Sequence, residues 1–411
     1  MSRSFCLALV VILRYIAPGL AYNFVSDNAQ AITDTRIPVL YDISASQTLP
    51  YSAGPVTGFS TYSLLTTSTG AQFFVALGLI TTPEAASYGA SILDLTTQEH
   101  RSYAAVTTIP ESELLSLNIS RPGFQLTGLR PDHLTLELHS NRNNVVFNLT
   151  VHPTSRALYH GGVGRYSYFS GSASNWAFPA ARTSGTVSTA PDHSPVELIP
   201  EASQTWYDRF WGTIELARTN STLFCLFFDG SDLALAANSI DEVVSDPATL
   251  EPARSAPGNS NSNSNNSNNN TKIRFGNLHA RNGSALAVVP ITLRISKDND
   301  AFWTSPRTGF TYPVKWELDI EGRGQLAIRA VVADQENEGG GGSYVGVVNF
   351  TGVFHGRAVA GFGSVQSRSA QGVESCSVRN CPSGVMAQIS QCCYYLYRTG
   401  LGVWSMQPAC L

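Results

Sequence analysis

The stretch Thr205-Trp206-Tyr207-Asp208-Arg209-Phe210-Trp211-Gly212 says most about how this chain folds and what it does. It is typical of a β-strand, in which alternate side chains point to opposite faces. One face then carries Asp208 between Trp206 and Phe210, and the other carries Arg209 between Tyr207 and Trp211. Aromatic walls around one or two polar groups are what a pocket for an apolar, partly polar small molecule requires.

The same period-two alternation recurs along the chain and predicts an all-β protein. Apolar residues alternate with polar ones in three further stretches, at Phe147-Leu149-Val151, Ile291-Leu293-Ile295 and Trp316-Leu318-Ile320. Helical spacing is limited to two places. One is residues 110–117, and the other is the row Val385, Ile389, Cys392 and Leu396 in the tail.

An Asn- and Ser-rich segment, residues 258–270, divides the chain. It cannot bury apolar surface and is therefore predicted to be a disordered loop. The simplest interpretation is a linker over residues 251–270, between an N-terminal β domain at 22–250 and a C-terminal β domain at 271–366. A Cys-rich tail at 367–411 follows. The alternative is a long loop inserted within one domain.

The N-terminus indicates a secretory signal peptide, residues 1–21. Arg3 precedes the apolar run Phe5–Leu13, which is too short to span a bilayer, and Gly19-Leu20-Ala21 fits a cleavage site after Ala21. Arg14 interrupts the hydrophobic stretch, and an uncleaved anchor is the alternative. The expected location is the secretory pathway, secreted or vesicular, with no stable membrane span after cleavage. Asn-x-Ser/Thr triplets support this route and predict glycosylation at Asn118, Asn148, Asn220, Asn265, Asn269, Asn282 and Asn349.

The cysteines of the mature chain concentrate at its end. In an oxidising compartment a disulfide-stapled tail is expected from Cys376, Cys381, Cys392, Cys393 and Cys410. A zinc cluster is the weaker alternative, because no histidine follows His355 and no Cys-x-x-Cys pair is present. Cys225 lies in an apolar run and is predicted to be a buried free thiol, unless it pairs with the odd cysteine of the tail.

Composition and motifs disfavour several classes of protein. The formal net charge of −4 gives no electrostatic footprint for nucleic acid. The chain contains no dinucleotide-binding glycine motif, no P-loop, no nucleophile elbow and no zincin motif. Any catalysis is therefore expected to use shape, hydrogen bonds and a carboxyl group, with no metal and no cofactor.

The heptad at residues 206–212 resembles the Trp-Tyr-Asp-Arg-Gln-Trp-Gly signature of the fungal Diels–Alderases. These belong to a lipocalin-like superfamily that also holds carotenoid hydratases and secreted kievitone hydratases. Other motifs follow in the same order between residues 159 and 366: Tyr159-His160-Gly161-Gly162-Val163-Gly164, Trp176-Ala177-Phe178-Pro179, Thr183-Ser184-Gly185-Thr186, Trp303-Thr304-Ser305-Pro306, Tyr312-Pro313 with Trp316, Asp334-Gln335-Glu336, Tyr344-Val345-Gly346 and Gly361-Phe362-Gly363. Two positions depart from the pattern: Phe210 replaces the usual Gln, and Gln366 replaces an acidic residue.

The resemblance implies a β-sandwich or open barrel followed by a lipocalin-like barrel. It also implies a cofactor-free Diels–Alderase that cyclises a linear polyene carried by a tetramate or pyrrolinone, giving a decalin or a cytochalasan-type product. The expected partner is thus a hydrophobic polyene substrate. Such a [4+2] reaction transfers no proton, so a shaped apolar cleft that holds the reacting groups together can accelerate it.

The predicted site residues come mainly from the aromatic motifs. Catalytic candidates are Tyr207, Asp208 and Arg209; substrate-binding candidates are Tyr168, Trp176, Trp206, Phe210, Trp211, Trp303, Tyr312 and Trp316. The structural alternative is that Asp208 and Arg209 satisfy buried backbone or cross-strand groups. His160, beside two glycines, is interpreted as a turn residue.

Two other functions remain open from the sequence. A hydratase would add water to an alkene, and Asp208 would then be the acid that protonates carbon. A carrier of hydrophobic metabolites would share the fold without catalysing any reaction.

Overall fold

The computed structural model describes residues 41–169, 171–188, 194–214, 219–242, 272–280, 286–337, 343–368, 395–398 and 404–407. These residues form two large antiparallel sheets, two short α-helices and two small hairpins. The predicted all-β class is confirmed. Helix α1 is Ile43–Gln47, and α2 is Glu111–Ser116 within the stretch predicted to be helical. Single 3₁₀ turns lie at Tyr51–Ala53 and Pro200–Ala202.

The first sheet is a half-barrel built from the N-terminal half of the chain. Its strand order is β4-β3-β2-β1-β13-β11-β8-β7-β6-β5, and β9, β10 and β12 pair with β11. Its strands are β1 (Val56–Thr66), β2 (Gln72–Thr81), β3 (Ala86–Asp94), β4 (His100–Thr107), β5 (Asn118–Arg121), β6 (Phe124–Gly128), β7 (Leu136–Arg142), β8 (Val145–Pro153), β9 (Leu158–Tyr159), β10 (Arg165–Tyr168), β11 (Gly171–Val187), β12 (Val196–Glu197) and β13 (Gln204–Gly212).

The second sheet has the order β17-β16-β15-β14-β24-β23-β22-β21-β18. Strand β18 also contacts β16, so the sheet nearly closes into a barrel. Its strands are β14 (Thr219–Phe228), β15 (Leu233–Glu242), β16 (Lys272–Ala280), β17 (Leu286–Val289), β18 (Ile291–Ile295), β21 (Lys315–Ile320), β22 (Gly324–Ala330), β23 (Ser343–Phe354) and β24 (Arg357–Arg368). Separate hairpins are formed by β19 (Phe302–Thr304) with β20 (Thr311–Pro313), and by β25 (Tyr395–Arg398) with β26 (Trp404–Gln407).

The predicted boundary between the two β domains needs correction. Strands β14 and β15 precede the Asn/Ser-rich segment, but they pair with β24 and β16 of the second sheet. The sheets therefore divide between Gly212 and Thr219, and the segment predicted as a linker connects two neighbouring strands, β15 and β16. This matches the alternative of a loop inserted within one domain. The pairing of β14 and β15 with strands that come later in the chain sets the boundary between the sheets. The composition of the Asn/Ser-rich segment carries no information about that pairing.

The alternating stretches bury the residues that their period predicts. Phe147, Leu149 and Val151 are buried in the first core, and Trp316, Leu318 and Ile320 are buried in the second. The third stretch is buried at Ile291 only, and Ile295 is exposed. Cys225 is a buried free cysteine, as predicted.

The five tail cysteines, and all of the predicted tail helix except Leu396, lie outside the described residues; Leu396 lies in strand β25. No helix in the described part of the chain is long and apolar enough to cross a membrane. Of the predicted glycosylation positions, Asn118 and Asn148 are exposed.

The two sheets pack face to face through a third cluster of buried residues. Trp206, Tyr62 and Ala177 of the first sheet meet Cys225, Phe227, Ala236, Val345 and Phe362 of the second. This layer is distinct from the two barrel cores, and the polar groups described below lie within it.

Candidate functional site

The two faces of β13 point to different environments, as the heptad predicts. Trp206 belongs to the layer between the sheets, whereas Tyr207 and Trp211 belong to the core of the first sheet. Because alternate residues share a face, Asp208 faces the second sheet and Arg209 faces the first core. The face that carries Trp206, Asp208 and Phe210 is therefore the one that meets the other half of the molecule.

A histidine approaches Asp208 within this layer. His160 Nε2 lies 3.4 Å from Asp208 Oδ2, and Trp206 Nε1 donates to the same oxygen at 3.4 Å. His160 is fully buried and Asp208 is 2% exposed. An imidazole and a carboxylate in contact, shielded from water, form a pair that can give and take back a proton.

The turn after β9 places His160. Gly161 and Gly162 both adopt positive φ, 68° and 92°, which side chains with a Cβ disfavour. The backbone N–H of Gly164 donates to the His160 carbonyl, and the His160 N–H donates to Asn175 O. The predicted turn is thus present, and it carries the imidazole into the layer between the sheets, next to the carboxylate.

Asn238 of β15 holds the other side of the imidazole ring. Its Nδ2 lies 3.2 Å from His160 Nδ1, and both side chains are buried. With the amide as donor, Nδ1 accepts and the ring hydrogen sits on Nε2, which lies 3.4 Å from Asp208 Oδ2 but makes no hydrogen bond among the described residues. The His160–Asp208 pair therefore takes its carboxylate and imidazole from the first sheet and its orienting amide from the second.

Aromatic side chains wall the deep end of the site. The Trp206 ring packs edge-on against Phe227 at 5.6 Å between centroids, and Phe227 packs against Phe362. The Tyr62 hydroxyl donates to Gln366 Oε1 at 2.6 Å, which joins the two sheets beside these rings. Gln366 is the residue that stands in place of the acid expected from the resemblance.

Cys225 and Tyr62 lie close to Asp208 and stay protonated. Burial raises the pKa of the Cys225 thiol well above its usual value, and the Asp208 carboxylate raises it further. Burial likewise raises the pKa of the Tyr62 hydroxyl, and the nearby Cys225 and Asp208 side chains raise it further. Neither group therefore supplies an anionic nucleophile near neutral pH.

Some polar atoms in this layer have no hydrogen-bond partner among the described residues. They include Asp208 Oδ1, and both the Oδ1 and Nδ2 atoms of Asn277, whose side chain is fully buried. Asn277 follows Phe275 by two residues on β16, and Phe275 lies opposite Asn238, so Asn277 shares the face of Asn238. Unpaired polar groups are costly to bury, so their accumulation here favours a ligand site.

The layer opens at the Phe210 end. Phe210, Tyr166 and Phe275 are partly exposed, and the Tyr166 and Phe275 rings contact edge-on at 4.9 Å. They belong to or adjoin a small apolar cluster that contains Ile240 of the second sheet.

The opposite face of β13 carries two of the predicted catalytic residues away from this site. The Tyr207 hydroxyl donates to Gln47 Oε1 of α1 at 2.6 Å. Arg209 donates from Nη1 to Thr57 Oγ1 and lies 4.3 Å from the centre of the Phe59 ring. Burial lowers the pKa of Arg209 to about 10, so the group remains charged at neutral pH.

The predicted substrate-binding residues are distributed over four environments. Trp206 lines the His160–Asp208 pair, and Phe210 lies at the opening. Trp176 and Trp211 pack in the first core, whereas Tyr312 and Trp316 pack in the second with Trp303 against them. Tyr168 lies in β10, and its side chain is outside what the structure describes. Strand alternation and the separate barrel cores thus prevent the predicted aromatics from forming one wall.

A cavity of about 1110 Å³ lies elsewhere, along β21 to β24 and the turn at residues 229–232. It includes Gln204 and Phe227 but neither His160 nor Asp208. Its Lys315 already pairs with Asp298 and Asp300 at 3.3 and 2.6 Å. Because the cavity contains no buried imidazole–carboxylate contact, we place the candidate functional site at the His160–Asp208 pair.

Sequence reasoning assigned no functional role to His160, Asn238 and Asn277. His160 lies in a motif of the resemblance, which was the available signal. Asn238 lies between Ala236 and Ile240 on one face of β15, and Asn277 follows Phe275 on one face of β16. A polar residue beside apolar ones on an inward face is a weaker signal.

Comparison with known proteins gives relatives that are enzymes. No family model matches the chain. Kievitone hydratase of Fusarium solani subsp. phaseoli is 28% identical over 350 residues, covering 84% of this chain and 90% of that protein. The dehydratase asqC of Emericella nidulans is 28% identical over 344 residues, covering 81% and 90%.

A solved structure shares the fold. The crystal structure of kievitone hydratase from Nectria haematococca has a TM-score of 0.71 and 26% identity, covering 84% of this chain and 98% of that one. These similarities support the relationship predicted from the sequence, a lipocalin-like family shared with kievitone hydratase and the asqC dehydratase.

Proposed function

We propose that this protein is a cofactor-free hydro-lyase, which adds water to, or removes it from, an apolar small molecule at the His160–Asp208 pair. The observation that carries the proposal is the buried imidazole–carboxylate contact of 3.4 Å, oriented by Asn238. The relatives named as a hydratase and a dehydratase support it, since one reaction is the reverse of the other.

The proton balance fits such a pair. In hydration the protonated form of the Asp208 carboxyl gives its proton to an alkene carbon, water oxygen bonds to the neighbouring carbon, and the proton lost by that water returns to the Asp208 carboxylate, while the neutral His160 imidazole lies against Oδ2. Dehydration runs the same steps backwards. Trp206 and His160 occupy the Oδ2 side of Asp208, which leaves Oδ1 to contact the reacting group. General acid–base catalysis of this kind contributes roughly 10²- to 10⁴-fold in rate.

The test is incubation of the purified full chain with kievitone, the molecule named in the relatives, and with its hydrated product. Mass spectrometry should detect a product one water heavier or lighter. Asp208→Asn and His160→Gln should each lower the rate by about 100-fold or more. Asp319→Asn, an exposed carboxylate of β21, is the matched control and should leave it unchanged.

The Diels–Alder cyclisation implied by the sequence resemblance is the second candidate. The aromatic wall of Trp206, Phe227 and Phe362 supports it, because a shaped apolar surface can fold a polyene for ring closure. A polyene-bearing tetramate would then give a product of unchanged mass, and Asp208→Asn would retain substantial activity. A water adduct that disappears in Asp208→Asn favours the hydro-lyase instead.

A further inference from the structure

One row of the first sheet carries only small side chains besides Asp208. Strand pairing aligns Gly89, Gly78, Ser60, Asp208 and Ala177 directly across β3, β2, β1, β13 and β11. Residues that pair in this way share one face of the sheet, so the whole row faces the second sheet with Asp208. We refer to these five residues as the small-residue row.

Larger side chains flank this row on both sides: Tyr62 and Trp206 lie two residues further along their strands toward the deep end, and Ile80 and Phe210 lie toward the opening. The row also adjoins the small residues Ala76 and Gly58. The Phe210 ring covers Gly58, where a Cβ would meet the ring at 2.2 Å. The small-residue row is therefore a trough one side chain wide, with apolar walls.

Gly78 is the open part of the trough. A Cβ built there meets no heavy atom within 4 Å, whereas at Gly89 it would meet the Tyr103 carbonyl oxygen at 2.4 Å. Gly78 is also partly exposed, while Ser60 is 8% exposed. Since adjacent strands lie about 4.8 Å apart, Gly78 and Asp208 are separated by about 10 Å across the sheet.

The inner end of the trough carries a group that points to a ligand. Asp208 is 2% exposed, yet its Oδ1 atom has no hydrogen-bond partner among the residues that the structure describes. A buried carboxylate oxygen without a donor is costly, and a ligand that supplies a donor would relieve that cost. The trough thus runs from solvent-accessible space at Gly78 to an unsatisfied carboxylate.

We propose that the small-residue row binds the planar, apolar part of the substrate, and that Gly78 is the position that determines which substrates fit. The inference rests on the proposed function in identifying the occupant as the substrate of the Asp208 site. A planar ring or conjugated chain lies flat on a floor of glycine, serine and alanine, with Tyr62 and Phe210 on either side. A hydroxyl or other donor on the same molecule then reaches Asp208 Oδ1.

The test fills the trough without disturbing the fold. A side chain at Gly78 enters open space on an ordinary strand backbone, so Gly78→Ala, Gly78→Leu and Gly78→Phe should fold with unchanged or slightly raised melting temperature. The binding probe is Nile red, a planar neutral fluorophore, titrated against the purified full chain. Val353→Phe is the control, because it adds the same ring at a position of the second sheet that is 49% exposed.

Nile red should bind the wild type and Val353→Phe alike. Its affinity should fall little in Gly78→Ala and at least tenfold in Gly78→Phe, with Gly78→Leu between them. Equal binding by wild type and Gly78→Phe, or no binding by the wild type, would overturn the trough. Loss of dye binding in Gly78→Phe together with no kievitone turnover by the wild type would retain the trough and refute the hydro-lyase. If the wild type and Gly78→Phe convert kievitone at the same rate, the hydro-lyase would be retained and the trough would be refuted.

Discussion

Replacing Tyr207 with phenylalanine tests which face of β13 performs chemistry. The Tyr207 hydroxyl donates to Gln47 Oε1 at 2.6 Å, and both groups are fully buried, on the face away from His160 and Asp208. Gln47 Nε2 meanwhile donates to His133 O at 2.8 Å, so the amide is fixed by a second contact. The hydroxyl therefore anchors α1 to the first sheet and contacts no reacting group.

Its removal should cost stability without affecting turnover. The substitution breaks one buried hydrogen bond and leaves Gln47 Oε1 without a donor, a loss of about 1–3 kcal/mol. At about 2 kcal/mol, the melting temperature of a domain of this size falls by roughly 4–8 °C. The rate with kievitone, measured well below that temperature, should stay within about twofold of the wild-type rate.

A double-mutant cycle provides the control. Gln47→Leu should destabilise the fold as well, and Tyr207→Phe combined with Gln47→Leu should cost less than the sum of the two single changes. Calorimetry or urea unfolding gives the stabilities, and product formation gives the rates. A 100-fold loss of rate in Tyr207→Phe with unchanged stability would show that the Tyr207 face is catalytic, and our assignment of the site would be wrong.

Two further predictions concern stability. Burial lowers the pKa of His100 to about 4. Between about pH 6.5 and 4, therefore, His100 is protonated in the unfolded chain and neutral in the folded chain. Stability should therefore fall as pH decreases from about 6.5 to 4, by up to about 3 kcal/mol, and His100→Phe should flatten this dependence in unfolding experiments at stepped pH. Deletion of residues 258–270 should change the free energy of unfolding by less than about 1 kcal/mol, because Lys272 of β16 already lies opposite Asp241 of β15. A loss of several kcal/mol would show that the segment takes part in packing.

The local sequence was sufficient to predict several strands and which of their residues share a face. Alternation across residues 204–212 separated Trp206 and Asp208 from Tyr207 and Arg209, and the structure buries them in different layers. Period two is a property of the extended backbone itself, so it can be read from a few residues. The same reasoning identified the buried residues of β8 and β21, the short helix α2 and the free thiol of Cys225.

Motif order predicted the relationship, because the order of motifs along a chain can be compared without knowledge of contacts. The motifs between residues 159 and 366 predicted the relationship to kievitone hydratase that the comparisons confirm. They did not determine the reaction, since the resemblance in sequence implied a cyclisation and left a hydration open as the alternative. The residues around Asp208 had to be located in space before one chemistry could be preferred.

Only the tertiary structure brought the candidate site together. His160 and Asn238 are 78 residues apart in the chain and come from different sheets, yet their side chains meet beside Asp208. Gly78, Ser60 and Asp208 form one row because three strands pair in a particular register. Local periodicity fixes which face a side chain takes, but the register between strands and the packing of one sheet on another depend on the whole chain. For that reason the sequence could predict Asp208, while its partners and the trough beside it became visible only in the folded protein.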